Sequence, residues 1–177
     1  MLQFYLSLVE TKEERDLITR LYTRNEQRMF RAAMDILHNK YSAEDAVHEA
    51  FLKIIDKLSD FTFENDIKTE ALLIIIVRNI AKNMYKYERR MEPSEILEEI
   101  VGVDDSFDEY FNLEETFASK VISNLPEELR QIIVMRYIME IDVKEIASTL
   151  GVAPTTVYSR IQKAREIMRM IMEESDE

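Results

Sequence analysis

The spacing of apolar residues predicts three long helices in the first half of the chain. Apolar side chains recur at three- and four-residue intervals, the period of an α-helix, over the ranges 12–37, 42–58 and 69–90. The intervening stretch 59–68 is polar, with two aromatic residues, and is predicted to be a loop. Ser42 is followed three residues later by Asp45, which resembles a capping box, so the second helix is predicted to begin at Ser42.

The second half of the chain carries a helix-turn-helix pattern. Pro126 suits the first turn of a helix over 126–139, because the N–H group that proline lacks is not needed there. Apolar residues of 143–150 then fall at i, i+3, i+4 and i+7, and Gly151 suits a left-handed C-cap. Another helix is predicted over 154–172. A short helix, a glycine turn and a second helix together predict a helix-turn-helix.

The last predicted helix has two distinct faces when its residues are placed at about 100° intervals. Its apolar face is predicted to be core and comprises Val157, Ile161, Ala164, Met168 and Ile171. Its polar face comprises Thr155, Ser159, Gln162 and Lys163, flanked by Tyr158 and Arg169. Such a polar face can bind base edges and phosphates, although an ordinary amphipathic helix also has one.

Composition narrows the class of protein. Two glycines and three prolines among 177 residues favour long helices. Cysteine is absent, which excludes disulfides and thiolate metal sites and suits a reducing cytoplasm. Residues 1–10 lack the basic region and cleavage site of a signal peptide, and the longest apolar run, 71–77, is too short to span a bilayer. We therefore expect a cytoplasmic protein.

The net charge of −12 by itself argues against nucleic-acid binding, but the distribution of charge along the chain does not. Residues 91–119 contain ten acidic and no basic residues, and residues 173–177 add four acids, so the rest of the chain carries +2. Within that remainder, 78–90 holds five basic residues and one acid, and 151–172 holds four basic residues and one acid. Two locally basic helices are thus joined by an acidic segment.

These patterns predict an all-α protein with two helical domains. The first domain is predicted over 1–90 and the second over 120–172. An acidic linker is predicted over 91–119, with a short helix near 95–101, and an acidic tail over 173–177.

Three stretches resemble motifs of one protein family, in the order and spacing that the family has. They are 42–53 (SAEDAVHEAFLK), 76–83 (IVRNIAKN) and 125–165, which contains LPEELRQIIVMRY, VKEIASTLGV and TTVYSRIQKAR. Together they resemble the extracytoplasmic-function (ECF) sigma factors of bacterial RNA polymerase, minimal members of the sigma-70 superfamily. The resemblance implies a sigma domain 2 and a helix-turn-helix sigma domain 4. It also implies an alternative sigma factor that catalyses no reaction and uses no cofactor or metal.

The resemblance implies that the helix starting near Ser42 binds the clamp helices of core polymerase. The implied contacts are Asp45, His48, Glu49 and Lys53, with His48 in place of the family's usual glutamine. Promoter DNA is the second implied partner, the polymerase flap is contacted by the second domain, and an anti-sigma protein is a common partner in the family.

The second stretch is implied to enter the −10 element and hold the opened strand, with aromatic rings as stacking candidates. The candidate residues are Phe61, Phe63, Arg78, Asn79, Lys82, Asn83, Tyr85, Lys86, Arg89 and Arg90. The chain departs from the family at Leu72, where many members have tryptophan, and at Ile75, where many have arginine.

The third stretch is implied to read the −35 element. The candidate residues are Thr155, Thr156, Tyr158, Ser159, Arg160, Gln162 and Lys163. Arg160 and Arg165 are also candidates for phosphate or intramolecular contacts. Ala153 replaces the family's usual serine, so the last helix loses an N-cap oxygen that Pro154 partly offsets by presetting the first turn.

Three other interpretations stay open on the sequence. Glu44, Asp45, His48 and Glu49 lie within about one helical turn, with His38 nearby, and could hold a metal, but a solvated or partner-binding face is favoured because the pattern has no second copy. A stand-alone helix-turn-helix regulator would leave the first domain unexplained. A degenerate sigma-like protein, which binds polymerase or a partner without opening promoters, would suit the aliphatic run 71–77.

Overall fold

The computed structural model describes residues 1–59, 61, 63, 66–91 and 117–175, and these form only helices and their connections. The chain divides into two compact units, Met1–Glu99 and Ile100–Glu177. The predicted short helix over 95–101 and most of the predicted acidic linker lie outside the described residues. Within the described ranges, no helix is long and apolar enough to cross a membrane.

The first unit contains four helices: α1 (Leu2–Leu6), α2 (Lys12–Leu37), α3 (Lys40–Asp56) and α4 (Asp66–Met91). The three long helices pack against one another, and α1 packs on α2 and α3. The bounds of α2 confirm the predicted range 12–37. The helix begins with a capping box, in which Thr11 Oγ1 accepts from the Glu14 N–H and the Glu14 carboxylate accepts from the Thr11 N–H.

Helix α3 begins two residues earlier than the capping-box pattern predicted. The N-cap is Asn39, whose Oδ1 accepts from the N–H groups of Tyr41 (2.9 Å) and Ser42 (3.1 Å). A capping oxygen is therefore already present upstream, and the prediction that Ser42 starts the helix is wrong. The Ser42 hydroxyl instead donates to Glu88 Oε1 of α4, at 3.1 Å.

Helix α4 supplies the most buried segment of the first unit. All seven side chains of the aliphatic run 71–77 are buried. A helix that is apolar on every side is expected to be enclosed by its neighbours. The helix begins at Asp66, earlier than the predicted start at Thr69, and ion pairs from Arg24 to Asp66 and from Arg28 to Glu70 join α2 to the beginning of α4.

The second unit contains helices α5 (Phe117–Ser123), α6 (Glu127–Ile133), α7 (Val143–Leu150) and α8 (Pro154–Ser175), with a π-helical turn at Val134–Ile138. Helix α5 begins inside the range predicted as linker, and α8 extends three residues past the predicted end. Part of the core of this unit comprises Leu125, Leu129, Ile133 and Ala164, with Ile122, Ile167 and Met168 packed against them.

The predicted helix over 126–139 is wrong in two details. Pro126 is the N-cap of α6 and not its first residue, and the α-helix ends at Ile133, where the chain widens into the π-turn. The predicted helix-turn-helix over 143–172 is confirmed. Gly151 caps α7 in the left-handed conformation (φ 68°, ψ 36°), which a residue without Cβ adopts at low cost.

Candidate polymerase and promoter interfaces

The predicted polymerase-binding residues lie along one side of α3. Asp45 and Glu49 are exposed, four residues apart and thus neighbours on the helix surface, whereas His48 and Lys53 are half-buried. The two carboxylates together present negative charge to solvent, which suits a basic partner surface.

An aromatic cluster that the sequence patterns did not predict holds His48 in place. Tyr5 of α1 is 1% exposed, and its hydroxyl is hydrogen-bonded to His48 Nδ1 at 2.9 Å. The Tyr5 ring stacks on His48 (5.6 Å between ring centroids) and on Phe51 (5.2 Å), and the Phe4 ring is tilted against the imidazole (5.7 Å). The available signal was the aromatic pair in the first five residues, which has no helical repeat because the segment is so short.

The environment of Lys53 disfavours its charge. Burial, followed by repulsion from Lys57, lowers the pKa of the Lys53 ammonium, and attraction from Glu49 opposes this in part. The Lys53 side chain is half-buried and lies one helical turn after the exposed Glu49.

The basic end of α4 carries most of the predicted −10 residues. Asn83, Lys86 and Arg89 are exposed, whereas Asn79, Lys82 and Tyr85 are half-buried. Asn79 Nδ2 donates to the Ile75 carbonyl oxygen at 2.8 Å, and the Arg89 guanidinium lies 5.1 Å from the centroid of the Tyr85 ring. The side chain of Arg90 lies outside the described side chains.

Three predicted −10 residues are buried in the structure. Phe61 (7% exposed) and Phe63 (6%) pack edge to face with centroids 6.1 Å apart, and Arg20 Nη2 donates to the Phe63 carbonyl oxygen at 3.2 Å. Arg78 is 4% exposed. Their apolar or enclosed surroundings make them part of the fold of the first unit, and the structure does not present the two phenyl rings as a stacking surface.

The two departures from the family pattern belong to the same core. Leu72 and Ile75 are 3% and 0% exposed, within the run that α2 and α3 enclose. Aliphatic side chains suit both positions, because α2 and α3 enclose this part of α4.

The predicted faces of the last helix, α8, are confirmed in its first three turns. Val157, Ile161 and Ala164 are buried. The exposed side comprises Thr155, Tyr158, Ser159, Gln162 and Lys163, with Thr156 half-buried. A polar strip therefore projects from the second helix of the helix-turn-helix, the position from which such a helix reads a major groove.

Two arginines of α8 make contacts within the second unit. Arg160 Nη2 forms an ion pair with Glu128 Oε2 of α6 at 2.9 Å. Arg165 Nη2 donates to the Tyr137 hydroxyl at 2.5 Å, and its guanidinium lies 5.7 Å from the centroid of that ring. Arg160 and Arg165 thus stabilise the packing of α8 against α6 and the π-helical turn.

The acidic cluster considered as a metal site lies at the surface. Glu44, Asp45 and Glu49 are exposed, and no group of three or more metal-binding side chains occurs among the described residues. Lys40 Nζ lies 3.8 Å from Glu44 Oε1, as expected for an i, i+4 pair on a solvated helix.

Two family models match the chain, one in each unit. The model described as Sigma-70 region 2 matches residues 21–91, from within α2 to the end of α4, and the model described as Sigma-70, region 4 matches residues 119–168. The region 2 match therefore contains the acidic face of α3 and the basic end of α4, and the region 4 match contains the helix-turn-helix.

Curated relatives match over most of their length. The ECF RNA polymerase sigma factor SigW of Bacillus subtilis is 24% identical over 173 residues, covering 89% of this chain and 90% of the relative. The ECF RNA polymerase sigma-E factor of Haemophilus influenzae is 31% identical over 136 residues, covering 70% and 71%. A solved sigma factor RpoE from Bartonella quintana, in complex with the anti-sigma factor NepR, is 20% identical, with coverages of 92% and 98% and a TM-score of 0.39.

Region 2 followed by region 4 defines the class of a sigma-70-type initiation factor. Given the identity to sigma-E over more than two thirds of both chains, the protein belongs to the ECF RNA polymerase sigma factors. It is an alternative sigma factor, and members of this family bind core RNA polymerase and promoter DNA to direct transcription initiation, while the polymerase performs the chemistry.

Proposed function

We propose that the two units recognise different elements of the promoter. Domain 2, over 1–90, docks on the polymerase clamp and holds the opened −10 strand. Domain 4, over 120–172, reads the −35 element and contacts the flap. The chain itself catalyses nothing and acts in the cytoplasm, with the acidic segments 91–119 and 173–177 as linker and tail. The observation that carries this proposal is the exposed polar strip of α8, which lies on the side of the helix opposite its buried apolar face.

The proposed polymerase-binding surface is the exposed side of α3. Asp45 and Glu49 supply charge, His48 supplies a half-buried ring fixed by Tyr5, and Lys53 borders the face. An imidazole held by a hydrogen bond and by two aromatic neighbours loses little side-chain entropy on docking. The family resemblance also implies an anti-sigma protein that would hold the two domains when the chain is free of polymerase.

The proposed −10 surface is the basic end of α4, without the three buried candidates. The residues are Asn79, Lys82, Asn83, Tyr85, Lys86, Arg89 and Arg90. Lysine and arginine side chains neutralise phosphates, and the amides of Asn79 and Asn83 can read a base. Phe61, Phe63 and Arg78 support this surface from the core.

The proposed −35 surface is the exposed side of α8. Thr155, Thr156, Tyr158, Ser159, Gln162 and Lys163 are its members, and Arg160 is assigned chiefly to the ion pair with Glu128. We expect Lys163 to contact a phosphate, because its side chain is exposed on the strip and carries a point charge that needs no bidentate geometry.

Burial of the aliphatic run explains the chain's departures from the family pattern. Leu72 and Ile75 fill the core of domain 2, so they offer no reason to favour a degenerate protein that cannot open promoters. A stand-alone helix-turn-helix regulator is likewise disfavoured, because the region 2 match accounts for the first unit.

Run-off transcription with bacterial core polymerase on a promoter library tests the proposal. Added start sites that depend on this chain are expected. Binding to core polymerase without any added start site would favour the degenerate alternative.

The salt dependence of −35 duplex binding by holoenzyme tests the residue assignments. Lys163→Ala should reduce the slope of log K against log salt by about one, since one phosphate contact is lost. Arg160→Ala is the matched control, since its charge is already paired with Glu128, and it should leave the slope close to that of the parent. Equal slopes for all three proteins would remove Lys163 from the proposed contacts.

A further inference from the structure

Phe4 of α1 lies beside the proposed polymerase-binding face and keeps about half of its surface exposed. Its ring centroid is 5.7 Å from that of His48, and the residue is 49% exposed. The neighbouring Tyr5 is 1% exposed and anchors α1 through its hydrogen bond to His48 Nδ1. Helix α1 therefore buries one aromatic residue in the domain and leaves the adjacent one at the surface, next to the imidazole.

Leu8 extends this exposed apolar surface. Ser7, which follows the last residue of α1, keeps helical backbone angles (φ −79°, ψ −14°), and the Leu8 N–H donates to the Tyr5 carbonyl oxygen at 3.1 Å. Leu8 thus follows Phe4 by about one helical turn and lies on the same side of the segment. Leu8 is 46% exposed. We call Phe4 and Leu8 the α1 apolar pair.

The α1 apolar pair is continuous with the exposed side of α3. At about 100° per residue, Asp45 and Glu49 lie about 40° apart around α3, and His48 lies about 60° from Asp45 on the side away from Glu49. Phe51 lies a further 60° in the same direction, and the Tyr5 ring stacks on both His48 and Phe51. Helix α1 therefore borders the acidic face on its His48 side.

The Phe4 side chain is already ordered in the free chain. Its ring contacts Tyr5, with centroids 6.0 Å apart and the planes edge to face, as well as His48. The Ser7 hydroxyl donates to the Phe4 carbonyl oxygen at 2.6 Å, which closes the turn that carries the ring. An exposed apolar side chain that is held in place loses little conformational entropy when a partner covers it.

We infer that Phe4 and Leu8 contact core RNA polymerase and form an apolar margin of the α3 docking face. The inference rests on the proposed polymerase-binding role of α3 and extends it to a segment that precedes the region 2 match, which begins at residue 21. Scattered exposed apolar side chains are ordinary on soluble proteins, whereas these two lie directly beside charged docking residues. Apolar anchors supply affinity in such an interface, and the charges of Asp45 and Glu49 orient the partner.

Titration of labelled core polymerase with the full chain tests the inference. Phe4→Ala should weaken core binding by about tenfold, as expected for truncation of an aromatic anchor, and Leu8→Ala by about threefold or more. Phe4→Leu keeps most of the apolar surface and should stay within about threefold of the parent. Ile67→Ala is the matched control, because Ile67 is 59% exposed in the first turn of α4, outside α1 and α3, and this variant should bind like the parent.

Photocrosslinking distinguishes a direct contact from an indirect effect through His48. With p-benzoylphenylalanine at position 4 in a complex with core polymerase, a crosslink to the subunit that carries the clamp helices is expected. At position 137, where an exposed tyrosine of the second unit stands, no crosslink to that subunit is expected. Weaker binding by Phe4→Ala without the crosslink from position 4 would overturn the direct contact.

Variants of α3 separate this inference from the proposed function. If Asp45→Ala and Glu49→Ala weaken core binding but Phe4→Ala and Leu8→Ala bind like the parent, the apolar margin is overturned and the α3 face stands. If the α3 variants also bind like the parent, the proposed polymerase-binding face itself fails. Circular dichroism of each variant establishes that the helices are retained.

Sedimentation of the free chain tests a second copy of the chain as the occupant of the apolar pair. The parent is expected to sediment as a monomer at the concentrations of the titration. A dimer that Phe4→Ala dissociates would overturn the assignment of this surface to polymerase.

Discussion

The buried Tyr5 hydroxyl is hydrogen-bonded to His48 Nδ1 at 2.9 Å, and so ties the first helix to the proposed polymerase-binding face. Burial, together with repulsion from Glu26, raises the pKa of Tyr5 to about 12, so the hydroxyl keeps its proton at neutral pH. The hydroxyl can donate to Nδ1 or accept from it, depending on which imidazole nitrogen carries the proton.

Tyr5→Phe should remove this hydrogen bond while leaving the stacked rings in place. We expect the free energy of unfolding to fall by about 1 kcal/mol, the net value of a hydrogen bond inside a protein. We also expect weaker binding to core polymerase, because the imidazole is no longer fixed. Urea unfolding followed by circular dichroism and a core-binding titration measure the two effects. Tyr158→Phe, at a ring of α8 that is 59% exposed, is the control for stability. Unchanged core binding by Tyr5→Phe would argue against a role for the fixed ring.

Lys53→Met separates a docking role from a structural one. The lowered pKa of Lys53 means that its charged form is disfavoured by folding, so it contributes a destabilising term at neutral pH, which is relieved as the pH rises through the lowered pKa. Removing the charge should leave the free energy of unfolding unchanged or raise it by well under about 1 kcal/mol, because the group is only partly enclosed. Core binding should nevertheless weaken. A variant that loses stability and keeps core binding would contradict both expectations.

Phe63→Ala tests whether the loop aromatics serve the core or the DNA. Truncating a buried phenylalanine costs about 3 kcal/mol or more, so a large loss of stability is expected. On a template with a preformed bubble at −10, at a temperature where the variant stays folded, initiation should match the parent. A folded variant that fails on this template would return Phe63 to the group of DNA contacts.

Gly151→Ala should weaken the helix-turn-helix through its backbone conformation alone. The residue has φ 68°, and an added Cβ would meet nothing within 4 Å, so the cost is the left-handed conformation itself, about 1 kcal/mol. Gly151→Asn should cost less, because asparagine tolerates this conformation better. Urea unfolding of the full chain, followed by a spectroscopic probe in the second unit, measures the loss of free energy of unfolding in each variant. Equal losses for Gly151→Ala and Gly151→Asn would indicate that the left-handed conformation does not set the cost.

Sequence patterns predicted correctly those features that depend on residues close together in the chain. The bounds of α2, the left-handed glycine at 151 and the buried side of α8 follow from helical periodicity and capping preferences within a few residues. The start of α3 was missed because Asn39 offers an earlier cap oxygen, and the π-turn after Ile133 carries no periodic signal.

The sequence did not indicate which of the candidate DNA-binding residues are buried. Phe61, Phe63 and Arg78 have the chemistry for DNA binding, but the packing of α4 encloses them.

The sequence by itself determined the class of fold, the order of the two sigma regions and the polar strip of the recognition helix, because periodicity, capping and motif spacing are properties of neighbouring residues. Only the tertiary structure decided which basic and aromatic side chains face solvent, that Tyr5 fixes His48, and that Arg160 is paired with Glu128. These depend on contacts between helices, and burial against a neighbour outweighs the chemical character that a residue shows in sequence.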